Sequence, residues 1–236
     1  IFGKTPITRL DDALQQYSTL LSSAENGWIL EYYPEADKYG GFNLYLNFTE
    51  EGEVTITDET AILRQAGETA TSLYSLKADM APVLSFDTYN RILHQFSDPA
   101  PDGLGYEGDY EFIILGADDD QIELKGKKRN NKMTMTKLPS SLTWTEFCSD
   151  VDTMVKHHPG FNMELQLGQT IIPLTESGEV GRYLTFELEE DIAASAKGVA
   201  YTYTPTGIKF KEPITIDGQT VQHFVASQDG KLICQD

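Results

Sequence analysis

No apolar run in the chain approaches the roughly 18 residues that a membrane-spanning helix needs. There is no Gly-x-Ser-x-Gly nucleophile elbow, no His-Glu-x-x-His zinc helix and no phosphate loop, and the glycines never cluster as Gly-x-Gly-x-x-Gly. Common serine-hydrolase, zinc-peptidase and nucleotide chemistry is therefore not expected. Cysteine is nearly absent, with 2 in 236 residues. Cys148 and Cys234 either pair, closing a long loop worth about 4 kcal/mol in the chain-entropy model, or remain buried free thiols. Positive charge is scarce too: 18 lysines and arginines stand against 37 aspartates and glutamates, a net charge of -19. That field repels phosphate backbones and anionic membrane surfaces, so nucleic acid is not an expected partner. No signal peptide is visible, because Ile1 opens directly on a polar, helix-like stretch.

What is present points to a packed, soluble β-rich protein. The hydrophobic fraction is 40% and aromatic residues alone make up 11%, ample for a core and inconsistent with disorder. Leu10, Ala13, Leu14, Tyr17, Leu21 and Ala24 recur at steps of three and four, one apolar helical stripe. Thr8 is the expected cap, Asp11 and Asp12 suit the first turn, and Asn26-Gly27 ends the helix. A second helix starts at a Thr143/Glu146 capping box and presents Trp144, Phe147, Cys148, Val151, Met154 and Val155, until Pro159-Gly160 stops it.

Most other segments read as strands. Trp28 to Tyr33, Phe42 to Phe48, Val54 to Thr57, Leu73 to Lys77 and Val83 to Phe86 come first. In the second of these, Asn43, Tyr45 and Asn47 alternate with apolar residues, the pattern of a half-buried strand. Residues 58–71 and 97–108 read as irregular loops. A meander follows over Tyr110 to Leu115, Ile122 to Lys125 and Lys132 to Thr136. Later strands are expected from Phe161, around Leu184 to Leu188 and Val199 to Tyr203, at Ile208 to Lys211 and Ile214 to Ile216, and at Val221 to Val225. Asp217-Gly218 and Asp229-Gly230 are hairpin signals. The expected fold is α+β, predominantly antiparallel β in a barrel-like or sandwich arrangement. An amphipathic helix leads each half, residues 1–139 and 140–236.

Candidate chemistry is sparse. His157-His158 is adjacent rather than spaced at i, i+4, so the two rings cannot share a metal from one helix face, and they suit a helix C-terminus. Asp118-Asp119-Asp120 lacks the ligand spacing of an EF-hand and reads as a turn. Asp87, Asp109, Glu111 and Glu31 sit among aromatics and could supply an acidic pair for glycoside hydrolysis. Lys125, Lys127, Lys128, Arg129, Lys132 and Lys137 concentrate positive charge on one hairpin, either to steer an anionic partner or to discourage edge pairing. The most informative segment runs from Ser85 to Phe96. Asp87, Tyr89, Asn90 and His94 there, with Trp28, Tyr32 and Tyr33, mix aromatic platforms with amide and carboxylate groups, the chemistry of a glycan or peptide pocket. These seven residues are the candidate ligand site; no catalytic residue, metal or cofactor is expected.

Several motifs carry a resemblance. Gly27-Trp28 to Tyr32-Tyr33, Gly40-Gly41-Phe42 to Phe48, Val54, Pro82 to Asn90, Gly108-Asp109-Tyr110-Glu111-Phe112 and Leu124-Lys125-Gly126-Lys127-Lys128 occur in one order, densest from 27 to 139. In this the chain resembles a family of uncharacterised Bacteroidetes lipoproteins, a domain of unknown function, often encoded near outer-membrane uptake systems of the starch-utilisation type. The resemblance implies an exported, outer-membrane lipoprotein whose anchor lies upstream of Ile1. Together with the aromatic-polar segment 85–96 and the absence of catalytic motifs, it leads to the expectation of a non-enzymatic role in capturing a glycan or peptide, alone or with an uptake complex. The competing expectations are a glycan hydrolase with an acidic pair and a purely structural subunit of such a complex.

Overall fold

The structure is a computed structural model that describes residues 6–59, 67–157, 163–186, 198–216 and 218–236. It divides into two compact units, one taking the chain to Pro34 and from Asn43 to Thr145, the other taking Glu35–Phe42 and Glu146–Asp236. Helix α1 (Pro6–Ser22) and strand β1 (Trp28–Tyr32) come first, then helix α2 (Ala36–Tyr39). There follow β2 (Phe42–Phe48), β3 (Glu53–Asp58), β4 (Ala70–Leu73), β5 (Ser75–Ala78), β6 (Pro82–Ser85) and the short helix α3 (Arg91–His94). The meander β7 (Glu111–Ala117), β8 (Gln121–Gly126) and β9 (Lys132–Lys137) completes the first unit's sheet. After helix α4 (Trp144–His157) come β10 (Met163–Leu167), β11 (Thr170–Ser177), β12 (Tyr183–Phe186), β13 (Gly198–Thr204), β14 (Gly207–Ile216), β15 (Gln219–Ala226) and β16 (Lys231–Cys234). The α+β fold, dominated by antiparallel sheet, agrees with the sequence reading. None of the described helices is long and apolar enough to cross a membrane.

In the first unit nine antiparallel strands run in the order β4-β3-β2-β1-β9-β8-β7-β6-β5. The two end strands are consecutive in the chain, so the sheet curls until its ends meet at Tyr74. The Tyr74 N–H donates to the Gly52 carbonyl (2.9 Å) and its hydroxyl to the Thr49 carbonyl (3.0 Å). The strand expected over Leu73 to Lys77 is thus broken at Tyr74, each part pairing with a different neighbour. Side chains from residues 88–91 cover the backbone edge at β4: Leu73 N–H donates to Thr88 Oγ1 (2.7 Å) and Asn90 donates to the Ala70 carbonyl (3.0 Å).

The core of this unit is aromatic. Trp28, Tyr32, Phe86, Phe96 and Phe112 are almost wholly buried. Rings of Tyr32 and Phe96 lie 4.9 Å apart, and Phe86 meets Phe112 edge-on at 6.0 Å. Trp28 Nε1 donates to the Leu21 carbonyl (2.9 Å), fastening α1 to β1.

Two expectations need correction here. Helix α1 (Pro6–Ser22) already includes Thr8, so Thr8 does not cap its start, and Asp11 and Asp12 fall beyond its first described turn. Strand β2 is buried on both faces rather than one: Asn43 is 4% exposed and donates to the Glu59 carboxylate.

The second unit is a closed seven-stranded barrel, β10 to β16 in chain order, sealed by parallel pairing of β10 with β16. Leu165, Tyr201, Phe210, Phe224 and, from α4, Val151 fill it, with Phe147, Met154 and Val155 packed against them. Glu35–Phe42 belongs to this unit. The Arg182 guanidinium lies 4.5 Å from the Phe42 ring centre and 5.1 Å from that of Tyr203, and Nη1 donates to the Gly41 carbonyl (2.7 Å). Gly40 has φ +66, and a Cβ there would stand 2.1 Å from the Arg182 carbonyl oxygen, so only glycine fits.

Strands β11 and β16 were not expected, and β14 is one strand with a register shift between Lys209 and Ile214 rather than two. Ile216 pairs with Gln219, the spacing of the hairpin anticipated at Asp217-Gly218. Asp217, His158, Pro159-Gly160, Phe161 and Leu188 lie outside the described residues. Cys148 and Cys234 are free thiols.

Candidate functional site

A cleft of about 650 Å³ opens on the first unit. Loop residues 97–108 form one wall, the start of β7 its floor, and the β8–β9 hairpin tip at Lys127–Arg129 the other wall. Asp109 organises it. Its Oδ1 accepts the Lys128 N–H (3.0 Å), its Oδ2 accepts the Arg129 N–H (2.9 Å), and its own carbonyl accepts the Tyr32 hydroxyl (2.8 Å). Burial pushes the Tyr32 phenol far above its ordinary value, reinforced by the Asp109 charge. Gly108 allows this approach, since a Cβ would lie 2.2 Å from the Tyr32 hydroxyl. At the mouth, Arg129 Nη1 pairs with Glu107 Oε2 (2.8 Å), and Glu107 holds a left-handed backbone (φ 61).

Beside the cleft stands an aromatic stack. The His94 ring lies between Tyr110 (centroids 4.8 Å, planes 25° apart) and Tyr89 (5.0 Å, 38°). Tyr110 lines the cleft, and the Tyr89 hydroxyl donates to Asp98 in its wall (2.7 Å). Histidine is buried while Tyr89 is 63% and Tyr110 45% exposed, so two tyrosine rings are offered to solvent around a buried spacer.

The seven candidate residues separate into three groups. Tyr89, Asn90 and His94 come together beside the cleft. Asn90 is 1% exposed: Oδ1 caps α3 by accepting from Ile92 and Leu93 N–H, and Nδ2 donates to the Ala70 carbonyl and Ser72 Oγ. It positions the stack and has no surface to offer a ligand. Trp28, Tyr32 and Tyr33 lie in the interior (0–2% exposed), because β1 is a central strand. Asp87 sits in an ionic cluster across β5, β6 and β7. There Lys77 Nζ is 2.5 Å from Asp87 and 3.6 Å from Glu111, while Lys127 Nζ is 3.1 Å from Asp79 and 3.7 Å from Glu111. Tyr110, Glu107 and the hairpin tip are functional candidates that the ligand-site reading missed.

The cluster bears on acid–base chemistry. The Ser85 hydroxyl lies 2.9 Å from Asp87 and 3.2 Å from Glu111, so two carboxylates do converge. Partial burial would raise the Asp87 carboxyl, but hydrogen bonds from Lys77, Ser75 and Ser85 and the Lys77 charge carry it below the usual value. A glycosidase general acid needs the opposite shift. Glu31 pairs in register with Thr134, and Asp109 is committed to the hairpin. Among the described residues no three His, Cys, Asp or Glu side chains converge to hold a metal ion.

His94 gives the unit a pH dependence. Burial holds its imidazole below the ordinary histidine value, opposed in part by the Asn90 backbone and Asp98. The unfolded chain therefore binds this proton more readily than the folded one. Stability is unaffected above the unfolded value of about 6.5 and falls as pH drops below it toward the folded value. We expect the melting temperature to decline as pH falls below about 6.5, and to decline less in His94→Gln. Parallel profiles for the two proteins would assign the decline to other groups.

The fold defines the class: an α+β protein of antiparallel strands whose first unit carries a polar, tyrosine-flanked cleft. One family profile matches residues 1–228, almost the entire chain, and the protein belongs to that family, a domain of unknown function (DUF4302). A comparison with curated proteins finds no match, and neither does one with solved structures.

Proposed function

We propose that the protein is a non-enzymatic binding component of nutrient uptake at the bacterial cell envelope, and that its ligand, a glycan or peptide, docks at the cleft through Tyr110 and Tyr89. The observation that carries this reading is the pair of solvent-exposed tyrosine rings held in place by buried His94 beside a 650 Å³ cleft. Exposed aromatics cost solubility, and rigid ones beside polar groups are the ordinary apparatus of ligand recognition. Export, a lipid anchor upstream of Ile1, and a place beside an outer-membrane uptake complex follow from the resemblance to Bacteroidetes lipoproteins.

A thermal-shift screen against oligosaccharides and short peptides tests this. A ligand at a hundred times its dissociation constant should add about 2.7 kcal/mol of stability. Tyr110→Ala should weaken binding of the hit by at least about tenfold, as truncating an aromatic anchor does. A hit whose affinity survives both Tyr110→Ala and Tyr89→Ala would place the site elsewhere.

A further inference from the structure

We infer that the ligand of this cleft is an acidic saccharide, whose ring stacks on Tyr110 and whose carboxylate is held by the cations of the β8–β9 hairpin. The inference rests on the cleft being a binding site, as proposed above, and names the chemistry of its occupant.

The charge distribution is the first reason. With 37 acidic residues for 18 basic ones, every cation in this chain could be neutralised. Lys77, Arg91, Lys127 and Arg129 of the first unit are indeed paired with carboxylates. Among the described residues, however, no carboxylate lies in ion-pair reach of Lys125, Lys128 or Lys132, all in one hairpin, and of these Lys128 lines the cleft. Lys125 and Lys132 are directly opposed in the ladder, an arrangement that is itself destabilising. Protection of a sheet edge does not account for them. Strands β8 and β9 are interior strands, paired on both sides, so there is no edge to protect. Salt at physiological strength confines fields to about 8 Å, so an anion entering the cleft responds to its lining. There Asp109 is spent on the Lys128 and Arg129 N–H groups, Glu107 pairs with Arg129 and Glu111 with Lys127, and the Lys128 ammonium has no carboxylate partner among the described residues.

Arg129 and Glu107 supply the second reason. Arg129 Nε is buried without a hydrogen-bond acceptor, an arrangement that folded proteins seldom leave unrelieved. Its terminal nitrogen is engaged by Glu107, whose left-handed backbone is unusual for glutamate. Glu107 thus holds a carboxylate at the cleft mouth where a ligand carboxylate would pair. A uronic acid carries its carboxylate directly on a pyranose ring. It presents an apolar face to Tyr110 and an anion to the hairpin within the span of one sugar, and the cleft's polar walls suit its hydroxyls.

Calorimetry with hexagalacturonate and hexamannuronate is the direct experiment. Fully methyl-esterified hexagalacturonate serves as the neutral control and hexaglutamate as the peptide of like charge. At least one acidic hexamer should bind, at least about tenfold more tightly than both controls. Lys128→Ala should weaken it several-fold and flatten its salt dependence, whereas Glu107→Gln, which frees Arg129, should tighten it. Both variants alter surface side chains, and circular dichroism checks that they fold. Equal binding of the esterified hexamer, still abolished by Tyr110→Ala, would overturn the acidic preference and leave the cleft reading intact. Equal binding of hexaglutamate would overturn the choice of a saccharide. If neither acidic nor esterified hexamers bind, the inference falls and the cleft reading rests on the wider screen; if binding survives both Tyr110→Ala and Tyr89→Ala, the inference and the cleft reading both fall.

Discussion

Trp28→Ala should lower the stability of the first unit by about 4 kcal/mol, within the range measured for removing a fully buried large aromatic side chain. The expectation has three parts. The ring is 0% exposed, so its truncation leaves a cavity that a sheet paired on both sides of β1 cannot easily close. Its N–H bond to the Leu21 carbonyl is lost, which strands an acceptor at the last turn of α1. The Lys137 ammonium, 5.7 Å from the ring centre, loses its aromatic partner. Natural domains are stable by only about 5–15 kcal/mol, so the variant should be visibly destabilised at 25 °C. Trp28→Phe separates the parts: it keeps most of the packing and should lose only about 1–2 kcal/mol. Urea unfolding followed by far-ultraviolet circular dichroism is the suitable measurement, because Trp144 would be the sole remaining tryptophan. A loss below about 1.5 kcal/mol in Trp28→Ala would mean that the ring is not a core element.

Local patterns made much of this fold legible. The meander from β7 to β9 could be read because its strands alternate and Asp118 closes its turn by accepting the Asp120 and Gln121 N–H groups. Helix α4 could be read from its apolar face. Strand β11 could not, because Pro173 interrupts its pattern. Asn43 and Tyr45 look outward-facing in the alternation of β2, yet tertiary packing buries both. The membership of Glu35–Phe42 in the second unit has no local signature, since it depends on Arg182 far along the chain.

The same division applies to the site. Tyr89, Asn90 and His94 fall within six positions and were legible as a group. Their distinct roles were not, since only the edge of β4 reveals that Asn90 is spent on Ala70 and Ser72. The cleft joins segments near residues 98, 109 and 128, and it does so through register: Phe112 pairs with Gly126, and Lys127 N–H donates to the Glu111 carbonyl (2.9 Å). A slip of one residue would turn each of these side chains to the other face, and nothing in a single sequence sets that register.

Asp109→Ala is the variant that should damage fold and cleft together. Asp109 is 5% exposed and accepts two backbone N–H groups at the hairpin tip. It packs against Gly126, where a Cβ would lie 2.2 Å from Oδ2. Bonds to a charged acceptor are the stronger kind, and losing this one leaves two amides without partners; we expect a loss of about 3 kcal/mol. Asp109→Asn keeps the shape but turns an amide donor toward an N–H, so it should lose about half as much. Amide hydrogen exchange at residues 127–131 should accelerate in both variants, and the pairing of Arg129 with Glu107 should loosen with the tip that carries it. The experiment also separates two roles that a carboxylate among aromatics can play. A catalytic carboxylate is held in a site shaped for chemistry at some expense of stability, so its replacement commonly leaves stability unchanged or raised. A carboxylate that ties a turn behaves in the opposite way. If Asp109→Ala proved as stable as the parent with unchanged exchange at the tip, the structural role would be wrong and Asp109 would return as a candidate for the acidic-pair chemistry.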